Sequence, residues 1–160
     1  MKWILVIALI GVVFGTKKID DNLKQLMEGY LQGLGIDGTN STMPCAEDAI
    51  MAVWQAAVDD INKIHDFSEK YECLLGFSAM IRPTLETIML VEKCNPKEIS
   101  PIMAKIEDTI SNEEEFVRAV MGNIDAIGPA LFEIKTGWDA KNFVKVGQVT
   151  GTLLRWVYAF

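Results

Sequence analysis

Three cysteines and a single histidine are the residues of this sequence whose chemistry could matter most. Cys45, Cys73 and Cys94 show no C-x-x-C spacing and no histidine cluster accompanies them, so the pattern does not predict a zinc site. His65 lies beside Asp66 in a short polar step between two apolar runs, where a solvated or capping histidine is the ordinary outcome. A Ser–His–Asp or Cys–His pair would have to use this histidine. We therefore expect no catalytic residues, no metal site and no cofactor.

Acidic side chains are numerous, but their spacing predicts no site. Residues 113–115 are three glutamates at a predicted helix start, where the helix dipole favours carboxylates, and Asp59-Asp60 lacks an EF-hand loop. The chain has 22 Asp and Glu against 15 Lys and Arg, a formal net charge of −7. Chance carboxylate pairs are expected at this composition. No basic stripe is present to neutralise phosphates, which excludes a nucleic-acid partner.

The stretch between the first and last cysteine predicts a central helical hairpin. Apolar residues recur at three- and four-residue steps over residues 46–64 and again over 67–91, as on one face of a helix. These patterns predict two long amphipathic helices folded back on each other. Pro83 predicts a kink or break near Ile81, and Pro96 ends the second helix.

The predicted hairpin favours one disulfide. Cys73 and Cys94 would lie roughly 30 Å apart along the second helix, far beyond the Cα separation of about 7 Å that a disulfide allows. An antiparallel pair brings Cys45 and Cys94 together at its open end. We expect a Cys45–Cys94 disulfide, with Cys73 a free or intermolecular thiol. A sharp break at Pro83 would instead pair Cys73 with Cys94, and spacing alone leaves that alternative open.

Four further helices complete the predicted fold. They cover residues 19–34, 100–110, 112–136 and about 139–158. The local signals are Ser100-Pro101 as a start, Asn112 with Glu115 as a cap, Gly128-Pro129 as a bend, and Gly33, Gly35 and Gly137 as stops. The sequence thus predicts an all-α, compact bundle of about six helices, in a single domain of residues 16–160.

The N-terminus predicts the compartment. Lys2 is followed by an uncharged apolar run at residues 3–14, and small residues stand at Val13 and Gly15. This layout is typical of a secretory signal peptide at residues 1–15. The run is shorter than the about 20 residues of a comfortable membrane span. An uncleaved N-terminal anchor or a buried core helix is the alternative.

A secreted chain can carry disulfides and glycans. Asn40-Ser41-Thr42 is a glycosylation acceptor in a loop rich in Gly, Thr and Ser. We therefore predict a protein of the secretory pathway, extracellular or in secretory granules, with Asn40 as its candidate glycosylation site.

The last predicted helix carries the candidate interaction residues. Gly147 and Gly151 allow two helices to approach closely, and packing inside the bundle is the favoured interpretation. Trp156, Tyr158 and Phe160 form an aromatic C-terminal end. If these rings are exposed, they mark a contact with a partner or a membrane.

Several short motifs carry a resemblance to a known family. They are "LMEGYLQGL" at residues 26–34, Cys45, "LVEKC" ending at Cys94, Trp138-Asp139, and Gly147 with Gly151. The chain resembles a family of small secreted proteins of ciliates, with an EGxLxGL-like opening, two spaced cysteines and a C-terminal Gly-xxx-Gly helix. The resemblance covers most of the mature chain. It implies a secreted helical protein, assigns no catalytic residue, and leaves Cys73 outside its pattern.

Together these observations favour a non-enzymatic secreted protein that acts through interaction or structure, with a protein partner or self-assembly. The alternatives are an apolar-ligand or lipid-binding helical protein, since eight methionines suit an adaptable cavity, and a membrane-anchored protein with an uncleaved N-terminal helix.

Overall fold

The computed structural model describes residues 21–36, 49–94 and 96–159, and within these ranges it is entirely helical, with no strand. The helices are α1 Asp21–Leu34, α2 Ala49–Ile61, α3 Lys70–Cys94, α4 Pro96–Ser111, α5 Glu113–Gly122, α6 Ile124–Asp139 and α7 Phe143–Tyr158. The predicted all-α fold is confirmed. The calls on residues 1–15, Asn40, Cys45 and Phe160 lie outside the described residues.

The described ranges contain seven helices, so the predicted count of six is wrong. The stretch predicted as one helix over residues 112–136 is two, because Asn123 separates α5 from α6. The Asn123 side chain donates to the Ala119 carbonyl at 2.8 Å and to the Trp156 carbonyl at 3.2 Å. One amide thus closes α5 and also holds this corner against the end of α7. Asn112 caps α5 as predicted, since its side chain accepts from the Glu115 N–H at 3.2 Å.

Other helix boundaries also differ from the predicted ones. α4 begins at Pro96, and Pro101 lies inside it. Ser100, predicted to start this helix, instead donates to the Glu92 carboxylate at 3.0 Å. α6 continues past Gly137 to Asp139, and α7 begins at Phe143. The predicted starts and stops fail here because tertiary contacts extend a helix past a local signal of modest strength.

Helix α3 is continuous over 25 residues with Pro83 inside it. The hydroxyl of Thr84 donates to the Met80 carbonyl at 2.7 Å, and that of Thr87 donates to the Pro83 carbonyl at 2.6 Å. Both bonds join neighbouring turns of the helix beside the proline, which has no N–H to donate. Cys73 therefore lies about 30 Å along the helix from its end at Cys94, which removes the Cys73–Cys94 alternative.

Helices α2 and α3 are joined by a buried hydrogen bond and by hydrogen bonds in the segment that connects them. Trp54 is fully buried, and its indole N–H donates to the Thr87 hydroxyl at 2.9 Å. In the connection between the helices, the Glu72 carboxylate accepts the backbone N–H groups of His65 at 2.7 Å and Asp66 at 2.9 Å. These bonds hold the pKa of Glu72 below its usual value. His65 thus lies in the segment between α2 and α3, where its backbone N–H is bonded to Glu72.

The closest helix contact in the described structure joins α1 to α7. A Cβ placed on Gly29 would meet the Val144 backbone, and one on Gly33 would meet the backbones of Gln148 and Gly151. Reciprocally, a Cβ on Gly147 would lie 2.5 Å from the Tyr30 nitrogen. Gly29 faces Val144 and Gly33 faces Gln148, so residue numbers increase in the same direction along both helices. Helices α1 and α7 are therefore parallel. Two Gly-x-x-x-Gly stripes therefore pack backbone against backbone, as the packing interpretation of Gly147 and Gly151 proposed.

Helix α7 also packs against α6, and the remaining helices complete one core around these contacts. The largest fully buried side chains include Trp54, Tyr30, Leu23, Leu26, Met27, Leu31, Ile61, Met80, Ile88, Ile99, Ile106 and Ile127. By length and composition, one described helix could cross a membrane, over Lys70–Lys93. Half of its apolar stretch is buried inside the bundle.

Two buried tyrosines predict a loss of stability in alkali. Burial raises the pKa of Tyr158 from 10.0 to about 12. Burial, with a smaller contribution from Tyr158, raises the pKa of Tyr30 well above 10.0. Above about pH 10 the unfolded chain loses protons that the folded chain keeps, so the free energy of unfolding falls as pH rises. Urea denaturation should show a steady midpoint up to about pH 9.5 and a decline from about pH 10 to 12.

Tyr30→Phe is expected to flatten this decline, whereas the same change at exposed Tyr71 should leave the pH profile unchanged. A wild-type midpoint that stays constant to about pH 11.5 would contradict the prediction.

Candidate functional site

A mixed polar and apolar depression lies over helix α7, and we call it the α7 cleft. Its volume is about 520 Å³. It is lined by Gln32, Gly33, Ala126, Pro129, Ala130, Glu133, Lys145, Gln148, Val149, Thr152 and Trp156. Three helices contribute: α1 forms one side, α6 forms the other, and α7 forms the floor. The mixture of small apolar groups with a few polar side chains is typical of a binding site.

The α7 cleft has two distinct ends. At one end, Lys145 Nζ lies 2.8 Å from the Glu133 carboxylate, which joins α7 to α6. At the other end stands Trp156, roughly 16 Å away along the helix. Asn123, at the start of α6, donates to the Trp156 carbonyl at 3.2 Å. α6 and α7 therefore run in opposite directions and enclose one elongated groove.

Side chains on the α7 floor follow one face of the helix. Lys145, Gln148, Thr152 and Trp156 succeed one another at three- or four-residue steps, which place neighbouring side chains about 5–6 Å apart. Gln148 donates to the Gln32 amide oxygen at 2.6 Å and thereby ties the floor to α1. The close α1–α7 packing fixes these positions, since neither helix can slide past the glycine stripes without a backbone clash.

Two polar groups in the α7 cleft have no partner within the described residues. Five other helical threonines donate their hydroxyls to a carbonyl one turn earlier: Thr84, Thr87, Thr109, Thr136 and Thr150. Thr152, half-buried in the cleft, makes no such bond in the described structure. The indole N–H of Trp156 is likewise unbonded there. These groups can donate to or accept from a bound molecule.

Trp156 differs from the other tryptophans that the structure describes. Trp54 is fully buried, and Trp138 packs between Trp54 and Phe143, with its N–H donated to Gln55 at 2.9 Å. Trp156 leaves 51% of its surface exposed. An exposed tryptophan at the mouth of a cleft is the kind of residue that dominates binding energy at interfaces.

The sequence left open whether the C-terminal aromatic rings are exposed, and the structure exposes Trp156 and buries Tyr158. Only 2% of Tyr158 is exposed, because it lies on the inner face of α7 and packs against Phe116 at 6.5 Å between ring centroids. Gly147 and Gly151 are occupied by α1 and are not open to a second chain. Gln32, Glu133 and Thr152 were missed by the sequence analysis because nothing in their local pattern signals a cleft.

The cysteine singled out as an intermolecular thiol is inside the protein. Cys73 is a free cysteine with 2% exposure, and its thiol donates to the Phe67 carbonyl at 3.1 Å. Burial, with smaller contributions from nearby carboxylates, raises its pKa. A Cβ on Gly128 would lie 3.0 Å from its sulfur. A disulfide to another chain would first require this region to open.

Among the described residues, no group of three or more His, Cys, Asp or Glu side chains is placed to hold a metal ion. A separate apolar pocket of about 180 Å³ lies between α3 and α5. It is lined by Leu74, Phe77, Ser78, Phe116, Val117, Val120 and Met121. Its lining has almost no polar surface, so it can accept only a small apolar group.

No protein-family model, no curated protein and no solved structure matches the chain.

Proposed function

We propose that the protein is a non-enzymatic binding protein of the secretory pathway, and that it holds its partner in the α7 cleft. The observation that carries this proposal is the half-exposed Trp156 at the mouth of a cleft whose polar groups have unused bonding capacity. The rigid α1–α7 floor adds preorganisation, which lowers the cost of binding.

The compartment belongs to the same proposal. Residues 1–15 act as a cleaved signal peptide, and Cys45 and Cys94 form a disulfide that closes an antiparallel α2–α3 hairpin, with Asn40 as the glycosylation acceptor. The free, buried Cys73 supports this pairing, because it leaves two cysteines for one disulfide. Membership in the family of small secreted ciliate proteins is proposed on the motifs quoted above. Intact mass of the natural protein tests these points together: an intact Met1, or two free thiols at positions 45 and 94, would contradict them.

Footprinting of the natural protein tests the binding site. Trp156 and Met89 are almost equally exposed, at 51% and 52%, and both side chains oxidise readily, so each serves as a reference for the other. Met89 lines none of the clefts described here. Brief hydroxyl-radical oxidation, with and without the concentrated secreted fraction from the source, should show protection of Trp156 and no change at Met89. Equal oxidation of Trp156 in both samples would contradict the proposal.

A substitution test complements the footprint. Trp156→Ala should weaken partner binding by about 2 kcal/mol, a loss of roughly 30-fold, as expected for an aromatic anchor. Met89→Ala is the matched control and should change binding by less than twofold. Because Trp156 is half-exposed, the variant should fold, and its thermal unfolding should resemble that of the wild type. Unchanged binding by Trp156→Ala would remove this residue from the site.

A second candidate function is apolar-ligand or lipid binding, favoured by the pocket between α3 and α5. Its size suits one ring or a short acyl segment. Native mass spectrometry of the natural protein should show an added lipid mass that Val117→Asp abolishes; a clean protein mass would count against this function. The remaining alternative, anchoring through an uncleaved N-terminal helix, is decided by the same N-terminal mass.

A further inference from the structure

The α7 cleft is electrically neutral on a strongly acidic protein. The chain carries a formal net charge of −7. The charged side chains that line the cleft are Glu133 and Lys145, which form an ion pair and cancel each other. The lining therefore offers neither an excess positive charge for an anion nor a second carboxylate for a cation. Its chemistry fits an uncharged ligand.

The bonding groups of the cleft are spaced for a ligand with many hydroxyls. Gln148, Thr152 and Trp156 follow one another at four-residue steps, about 5–6 Å apart. The Thr152 hydroxyl and the Trp156 N–H are unbonded within the described structure, and Gln148 retains an amide oxygen after donating to Gln32. The floor thus offers both donors and acceptors, and the Glu133–Lys145 pair adds both kinds at its end.

The Trp156 ring adds a flat apolar surface beside these groups. Its neighbours in the cleft are small: Ala126, Pro129 and Ala130 line the opposite side, so a planar or chair-shaped ring can lie against the indole. A molecule with one apolar face and a polar rim could pack that face on the Trp156 ring and form hydrogen bonds through its rim to Gln148 and Thr152.

A peptide partner suits this cleft less well. The described residues contain no strand, so no sheet edge is available for pairing with a peptide backbone. An amphipathic helix would bring an apolar face onto Thr152 and Gln148 and leave their polar atoms buried without partners, at a cost of about 1–3 kcal/mol each.

We propose that the α7 cleft binds a neutral carbohydrate, with one sugar ring stacked on Trp156 and its hydroxyl groups bonded to Thr152, Gln148 and the Glu133–Lys145 pair. This inference rests on the proposed function, since it names the class of ligand for the same site. The orientation of the sugar follows from the cleft. Its apolar face lies on the indole, and its hydroxyl groups face Gln148 and Thr152 on α7.

Calorimetric titration of the full secreted chain with four neutral trisaccharides tests the proposal. The probes are linear trimers of glucose, mannose, galactose and N-acetylglucosamine. At least one should bind saturably. Trp156→Ala should weaken that binding about 30-fold or more, and Thr152→Val, which keeps the side-chain shape and removes the hydroxyl, about fivefold. Met89→Ala should bind within twofold of the wild type.

The outcomes separate this inference from the proposed function. If none of the four sugars binds at millimolar concentration, or if Trp156→Ala binds as well as the wild type, the carbohydrate assignment is overturned. Protection of Trp156 by the natural secreted fraction, without sugar binding, would leave the α7 cleft as a site for a protein partner. If no sugar binds and the secreted fraction also fails to protect Trp156, the proposed function is overturned as well. Circular dichroism of each variant shows whether it is folded.

Discussion

Gly147→Ala is expected to lower the free energy of unfolding by about 3 kcal/mol. A Cβ at this position would overlap the Leu26 carbonyl and lie 2.5 Å from the Tyr30 nitrogen. Both atoms belong to the backbone of α1, so no side-chain rotation can relieve the contact. The helices would have to separate, and every apolar contact along their shared face would loosen with them. Urea denaturation by circular dichroism measures the change.

Gly122→Ala is the matched control for this substitution. Nothing lies within 4 Å of a Cβ built on Gly122, which is the last residue of α5. Alanine has the higher helix propensity, so this variant should equal the wild type or gain up to about 0.5 kcal/mol. If Gly147→Ala and Gly122→Ala differ by less than about 1 kcal/mol, the α1–α7 contact is not the close backbone packing described above.

Trp54→Ala is expected to be at least as damaging, with a loss of about 4 kcal/mol. Trp54 is fully buried, its ring lies 6.5 Å from that of Trp138, and its N–H donates to the Thr87 hydroxyl at 2.9 Å. The substitution removes the largest fully buried side chain and also leaves Thr87 without its donor. The same denaturation measurement applies, with Met89→Ala as an exposed-residue control that should stay within about 0.5 kcal/mol of the wild type.

A double-mutant cycle separates the hydrogen bond from the packing. Trp54→Phe removes the donor to the Thr87 hydroxyl, which keeps its own bond to the Pro83 carbonyl. Thr87→Val leaves the buried Trp54 N–H without an acceptor, at a cost of about 1–3 kcal/mol. The double variant loses both groups together, so its cost should be smaller than the sum of the two single costs. Strict additivity would show that the indole and the hydroxyl are not bonded in solution.

The local periodicity of the sequence was sufficient to predict the fold class. Apolar residues at helical spacing identify most of the helices, and the Asn112 cap was predicted correctly. The break at Asn123 was not, because the apolar stripe continues through it and the bonds that stabilise the corner reach Trp156, far along the chain. Pro96 was predicted to end the second hairpin helix, and α3 does end at Cys94. The sequence did not predict that Pro96 also begins α4, a role that proline's fixed backbone angle permits.

The candidate site was predictable only in part. Trp156 was identified because an aromatic ring near a helix end is visible in the sequence. The cleft was not, because its walls come from three helices whose arrangement depends on the α1–α7 contact. A signal for that contact was present: Gly29 and Gly33 have the same four-residue spacing as Gly147 and Gly151. Gly33 was predicted to help end the first helix, which does end at Leu34, but its packing against α7 was not predicted.

The pairing of α1 with α7 has a consequence for biosynthesis. Among the described helices, the first to leave the ribosome has as its main partner the last one made. The glycine stripe of α1 therefore stays uncovered while the intervening helices are translated and, in a secreted chain, translocated. Domains usually fold as units after their last contributing segment emerges. A nascent chain arrested before residue 143 should accordingly remain sensitive to protease within α1 and become resistant only when α7 has been released.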